Sequence, residues 1–130
     1  LVQDPTNFDI LLCENLYGDV VSDLCAGFVG GLGVTPGANF GEVNAVFEAV
    51  HGSAPDIAGK GLANPLAITM SGVMMLNHIA TRTGDAAAKA AADRIKVAYN
   101  AAVGEGERTG DLGGSLGTEA FADALVRRLG

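Results

Sequence analysis

Glycine restricts this chain more than any other residue type, because it decides where regular structure can run. Of the 19 glycines, seven fall between Gly27 and Gly52 and six between Gly104 and Gly117. A glycine inside a helix or strand costs about 0.5–1 kcal/mol, whereas in a turn it reaches conformations closed to other residues. The two clusters therefore mark connections. With no collagen period and no Ser or Gln bias, they imply tight turns and backbone-lined sites rather than disorder. The rest of the chain can build a core, since 48% of its 130 residues are hydrophobic and 18% charged. That length suffices for one domain or pieces of two. Eight Lys and Arg against 15 Asp and Glu give a net charge of −7. Nucleic acid is therefore excluded as a partner, because phosphate binding needs a basic surface.

Between the glycine clusters the pattern alternates. Phe8 to Cys13 (FDILLC) is a short apolar run that predicts a buried strand, of the parallel type. From Gly18 to Val29, the residues Val20, Val21, Leu24, Cys25 and Phe28 recur as on one helix face. Gly30 to Gly41, with five glycines and Pro36, reads as a loop where the chain passes between layers or domains. Asn44 to Val50 predicts a second buried strand, and residues 51 to 65 form a long connection of the kind that usually carries function. Asn64-Pro65 is a helix start: Asn caps free N–H groups and Pro at the first position has none to leave unpaired. That helix is expected to reach about Thr81. Asp85 caps a second, alanine-rich helix over Ala86–Val103 that Gly104 stops. After the loop 104–117, Thr118 caps a last helix with Phe121, Leu125 and Leu129 on one stripe.

No stretch predicts a membrane span, since Pro65 to Ala80 is broken by Thr69, Ser71, Asn77 and His78. Cys13 and Cys25 lack ligand spacing and read as buried thiols of a reducing compartment. The first residues, LVQDPTNFD, include neither an initiator Met nor a signal pattern, as expected of the interior of a longer chain.

Two constellations could carry chemistry. Asp19 and Asp23 stand at i and i+4, so their carboxylates leave one helix face a turn apart. Like charges so placed destabilise a helix by about 0.2–0.5 kcal/mol, and Mg²⁺ or Mn²⁺ would offset that. Alternatively Asp19 complements the helix N-terminus and Asp23 is solvated. The second is His51-Gly52-Ser53-Ala54-Pro55-Asp56-Ile57 after a strand, where open α/β folds place ligands. It could stack on and hydrogen-bond an adenosine, or be a surface turn with Asp56 in an Asx turn. GxGxxG, GxxxxGK[ST] and GxSxG are all absent, so neither a Rossmann site, a P-loop nor a nucleophile elbow is visible.

The segments NLYGDVVSDLCAGFVGGLGVTPGAN (15–39), FEAVHGSAPDIAGKGLANP (47–65) and RTGDLGGSLGTEAF (108–121) together resemble the C-terminal part of the isocitrate/isopropylmalate dehydrogenase family. The resemblance covers nearly the whole chain and implies that family's α/β fold, with a nucleotide site that is not of Rossmann type. Residues 1–30 would end a smaller, dimer-forming domain, and 31–130 would be the C-terminal portion of a larger cofactor-binding domain. It further implies Asp19 and Asp23 as ligands of a catalytic Mg²⁺ or Mn²⁺. His51, Gly52, Ser53, Ala54, Asp56 and Ile57 would hold the adenosine half of NAD, with Asn64 near the adenine. Asp56 would accept from the ribose hydroxyls and repel a 2′-phosphate, and NADP-using relatives carry Lys and Tyr where this chain has Asp56 and Ile57.

By the same resemblance, the reaction is oxidative decarboxylation of a small 2-hydroxy acid, isocitrate first among them. Homoisocitrate or isopropylmalate dehydrogenases, and a non-catalytic regulatory subunit, are alternatives, and a free-standing nucleotide-binding module is a third class. The family's arginines, tyrosine, lysine and third aspartate have no counterpart here, so no catalytic residue beyond the metal ligands is expected, and the 130 residues alone should be inactive. A homodimer or higher oligomer with a shared site would be cytoplasmic, or in the mitochondrial matrix of a eukaryote.

Overall fold

The computed structural model describes all 130 residues and contains four helices and one two-stranded sheet. Helix α1 spans Asn15–Val29, followed by strands β1 (Pro36–Phe40) and β2 (Ala45–Ala49). Helices α2 (Leu66–Thr83), α3 (Ala86–Gly104) and α4 (Thr118–Leu129) complete the chain. Four 3-10 turns punctuate it, among them Leu32–Val34, Pro55–Ile57 and Gly110–Leu112. No helix is long and apolar enough to cross a membrane.

The helices follow their local signals closely. Asp85 accepts from the N–H groups of Ala87 and Ala88 at 2.8 and 3.0 Å and caps α3 as expected. Gly84, at φ +73°, closes α2 two residues later than the expected Thr81. Asn64 Oδ1 accepts from Leu66 N–H at 2.9 Å, so Asn64 caps α2 while Pro65 sits one place before the first helical residue. At the end of α3 the stop falls at Gly106, φ +88°, rather than Gly104, which remains helical.

Packing centres on α2, α3 and α4. Leu66, Ala102, Phe121 and Leu125 form the core cluster, flanked by Val34, Met70, Tyr99 and Leu116. Buried Ala88, Ala92, Ala98 and Ala102 give α3 a flat face, the arrangement that lets helices approach closely. The α3–α4 end is tied by Arg128, paired with Glu105 and Glu107, and by Arg127 with Glu107 at 2.9 Å. The hydrogen bond to Glu105 holds the Arg128 guanidinium more firmly protonated than usual.

Five expectations fail. The strand expected over 44–50 forms as β2 but is not buried: its residues alternate between half-buried and exposed, with Val46 58% exposed. Phe8–Cys13 is not a strand: no neighbouring strand pairs with it, and Ile10 and Leu12 are 87% and 98% exposed. The expected loop 30–41 contains β1, which pairs antiparallel with β2 in the register Pro36↔Ala49 to Phe40↔Ala45. Proline is acceptable there as the first strand residue. A Cβ on Gly37 would lie 3.1 Å from the Glu48 carbonyl, so the glycine permits the close approach. Buried Ser71 of α2 ties the hairpin down: it accepts from Gly37 N–H at 3.3 Å, and its Oγ lies 2.6 Å from the Glu48 carbonyl. Thr118 does not cap α4, because its hydroxyl donates to the Ala63 carbonyl at 2.5 Å and its N–H to Gly61 at 2.8 Å. Finally, Cys13 is exposed and Cys25 half-buried, so neither is a core thiol.

Helix α1 starts at Asn15, before the expected Gly18, and buries only Ala26. Its apolar residues Leu16, Val20, Leu24 and Phe28 are exposed. Gly30 and Gly31, at φ +121° and +103°, turn the chain sharply from α1 into the Leu32–Val34 turn.

Candidate functional site

Asp19 and Asp23 are one turn apart on the same side of α1, and both line an open cavity of about 710 Å³. Thr35, Asn39, Glu48 and His51 form its other walls. Neither aspartate carboxylate has an ion-pair or hydrogen-bonding partner; Ser22 bonds the Asp19 backbone carbonyl instead. Two unpaired hard oxygen donors at helical spacing fit a divalent cation that completes its shell with water and substrate oxygens. They do not make a closed site, since no third His, Cys, Asp or Glu joins them. Glu48 was not singled out from sequence. It sits on β2 facing the cavity, steadied by Asn39 Nδ2, which donates to its Oε1 at 3.2 Å.

The loop after β2 begins at His51, whose Nδ1 lies 3.0 Å from the Gly52 carbonyl. A carbonyl only accepts, so the contact is a hydrogen bond in any form of the ring that carries a proton on Nδ1. Ala54 follows at φ +42°, the one non-glycine residue in the left-handed region, and turns the chain into Pro55–Ile57. Strain of this kind, about 1–2 kcal/mol for a residue with a Cβ, concentrates where a loop must hold a shape for a ligand.

Two cavities flank this loop. One, of about 440 Å³, has aliphatic walls from Leu32, Ala54, Ile57 and Leu62, with Asn64 and Asp111 as its polar end. The other, of about 410 Å³, lies toward the start of α4 at Thr118 and Glu119 and includes Ser53. His51 lines both of these and the aspartate cavity as well. Of the residues singled out from sequence, His51, Gly52, Ala54, Ile57 and Asn64 thus surround one space adjoining Asp19 and Asp23. Asp56 is exposed on the 3-10 turn and lines neither loop cavity. Asp111 was missed, although the segment carrying it stood out; its bond to Asn64 spans 47 residues, beyond any local pattern.

The fold and these motifs are those of a known enzyme family. Residues 1–125 match the isocitrate/isopropylmalate dehydrogenase family, and the chain belongs to it. It is 50% identical over 129 residues to the isocitrate/homoisocitrate dehydrogenase of Thermus thermophilus, covering 99% of this chain and 36% of that protein. It is 53% identical to the mitochondrial isocitrate dehydrogenase [NAD] catalytic subunit 5 of Arabidopsis thaliana, covering 99% of this chain and 33% of that one. Among solved structures, isocitrate dehydrogenase from Methylococcus capsulatus superposes with a TM-score of 0.86 at 49% identity, over 98% of this chain and 37% of that one. The α/β architecture is therefore that of the family, and the chain spans about a third of the length of the relatives it matches.

Proposed function

We propose that this chain supplies the metal-holding helix and the nucleotide loop of an NAD-linked oxidative decarboxylase acting on a small 2-hydroxy acid, isocitrate first among the candidates. The observation that carries the reading is His51, which borders both the cavity of Asp19 and Asp23 and the aliphatic cavity ending at Asn64. A divalent ion and a dinucleotide held in these two places would meet beside one histidine. When bound, the two groups supply Lewis-acid polarisation of the substrate's hydroxyl and carboxylate and an acceptor for its hydride.

The chain's own residues perform binding and orientation. Asp19 and Asp23 would hold Mg²⁺ or Mn²⁺ from a rigid turn of α1, and the cavity beside them has room for a small polyanionic acid and its waters. Gly52, Ser53 and Ala54 let the backbone approach the adenosine half of NAD, with Ile57 against it. Asn64 meets the base. Asp56, exposed on the 3-10 turn after Ala54, would accept from the ribose hydroxyls and disfavour a 2′-phosphate. The twin positive-φ glycines 30 and 31 would mark the passage from a smaller, dimer-forming domain (1–30) to the larger one (31–130). The apolar face of α1 would then be covered in a homodimer or higher oligomer that completes the site. On this reading the 130 residues alone are inactive.

The relative named for both isocitrate and homoisocitrate supports the second acid as the alternative substrate. Steady-state kinetics on the complete polypeptide carrying this segment test the proposal, with isocitrate, homoisocitrate and isopropylmalate, NAD and NADP, with and without a chelator. Isocitrate-dependent NADH formation that stops on chelation is expected. A higher kcat/KM with NADP would overturn the cofactor assignment, and turnover indifferent to chelation would overturn the metal pair.

A further inference from the structure

We infer that Ser71 of α2 is a positioning residue for the loop after β2: its buried hydroxyl pins the open end of the β1–β2 hairpin, where the chain passes from the aspartate cavity into His51. This rests on the reading that the loop takes a dinucleotide. Ser71 itself lines none of the three cavities around His51, so it acts through the backbone it holds.

A serine in mid-helix either faces water or bonds back to the carbonyl four residues earlier. Ser71 is buried, and its Oγ lies 2.9 Å from the Ala67 carbonyl. It lies closer still, 2.6 Å, to the Glu48 carbonyl, and it accepts from Gly37 N–H at 3.3 Å. A hydroxyl has one proton to give, so Glu48 is the favoured acceptor and Ala67 the alternative. Gly37 and Glu48 face each other in the hairpin register, so one side chain from α2 holds both strands at a single rung. Only the pair Pro36↔Ala49 lies beyond that rung. Past it stand Thr35 on one strand and Val50 and His51 on the other, all walls of the aspartate cavity.

The Glu48–Ser71 contact spans 23 residues of chain and so closes the whole excursion 51–65. The other end of that excursion is fixed by Asn64, which caps the same helix. Helix α2 is thus a ruler that sets the separation of the two loop ends. Ala54 between them, at φ +42°, keeps its strained conformation only while the surrounding structure holds it there. The turn end of the hairpin has separate attachments: Arg82 donates to the Glu42 carbonyl at 3.1 Å, and the His78 ring lies 5.3 and 5.7 Å from those of Phe40 and Phe47. Loss of the Ser71 hydroxyl therefore frees the site end without detaching the hairpin. Asp19 and Asp23 ride on α1, so the pin serves the nucleotide rather than the metal.

The test compares Ser71→Ala and Ser71→Cys with the unaltered complete polypeptide. Cysteine stays small and apolar with only a weak S–H donor, so it removes the pin without opening a cavity and carries the test where alanine lowers stability too far. By calorimetric titration the Kd for NAD should rise roughly tenfold in both, one hydrogen bond's worth, while the Kd for Mg²⁺ without nucleotide stays within about twofold. A general loss of folding would weaken both alike. Linkage adds a readout on the unaltered protein: if the pin favours NAD, NAD tightens the pin by the same factor. Saturating NAD should slow hydrogen exchange at the Gly37 amide roughly tenfold and leave the Gly84 amide, at the far end of α2, unchanged. An unaltered NAD affinity in Ser71→Cys, a parallel loss of Mg²⁺ affinity, no NAD binding by the unaltered protein, or equal responses of Gly37 and Gly84 would overturn the inference. Failure of every 2-hydroxy acid to reduce NAD would sink the proposed reaction instead, while the NAD affinities would still decide the role of Ser71.

Discussion

Replacing Asp23 by Asn should change the sign of its effect on stability when a divalent cation is added. Without metal, two carboxylates one turn apart on α1, neither paired with a cation, repel by about 0.2–0.5 kcal/mol. The variant should then be about 0.3 kcal/mol more stable than the unaltered protein. With Mg²⁺ at about a hundred times its dissociation constant, the unaltered protein gains about 2.7 kcal/mol by mass action. Losing even an outer partner of a metal ligand costs 10–100-fold in affinity, so loss of a direct ligand is set at about 100-fold. The variant then gains only about 0.4 kcal/mol and ends about 2 kcal/mol below the unaltered protein. Thermal or urea unfolding of the complete polypeptide, in chelator and in Mg²⁺, reads both halves. A variant that Mg²⁺ stabilises as much as the unaltered protein would refute the pairing of Asp19 and Asp23 around an ion. So would a variant less stable in chelator, because the carboxylate would then be serving the helix rather than a ligand.

Further outcomes follow from the loop and the core. Asp56→Lys replaces the carboxylate that would repel a 2′-phosphate with a cation that would attract it; the kcat/KM ratio of NADP to NAD should rise at least about tenfold, and an unchanged ratio would remove Asp56 from cofactor choice. Phe121, fully buried against Leu66, Ala102 and Leu125, should cost about 3–5 kcal/mol on truncation to Ala. That is a fifth or more of the stability of a typical domain, about 5–15 kcal/mol. Denaturant unfolding measures it, and a loss below about 1 kcal/mol would contradict the packing described for α4.

What the chain's sequence determined by itself was local. Helices α2, α3 and α4 were legible because their signals lie within a turn or two of their ends: Asn64 and Asp85 at two starts, and Phe121 and Leu125 on one stripe. The placement of Asp19 and Asp23 on one face of α1 follows from helical spacing alone. Beyond that, the length of the connection 51–65 and its place after a strand singled out His51 to Ile57, and the family resemblance added Asn64 and the residues' roles.

The tertiary structure decided everything that joins distant residues. A strand exists only beside another strand, so β1 appeared in a glycine-rich stretch because β2 and Ser71 were there to pair with it. The far more strand-like Phe8–Cys13, without such a neighbour, formed none. Thr118 has the chemistry of a cap, yet its hydroxyl serves Ala63, 55 residues away. The meeting of Asn64 with Asp111 and the place of His51 at the junction of two cavities share that origin. Helix capping reads the chain over three or four residues. Loop closure over tens of residues leaves no local trace, so the folded chain alone brings such groups together.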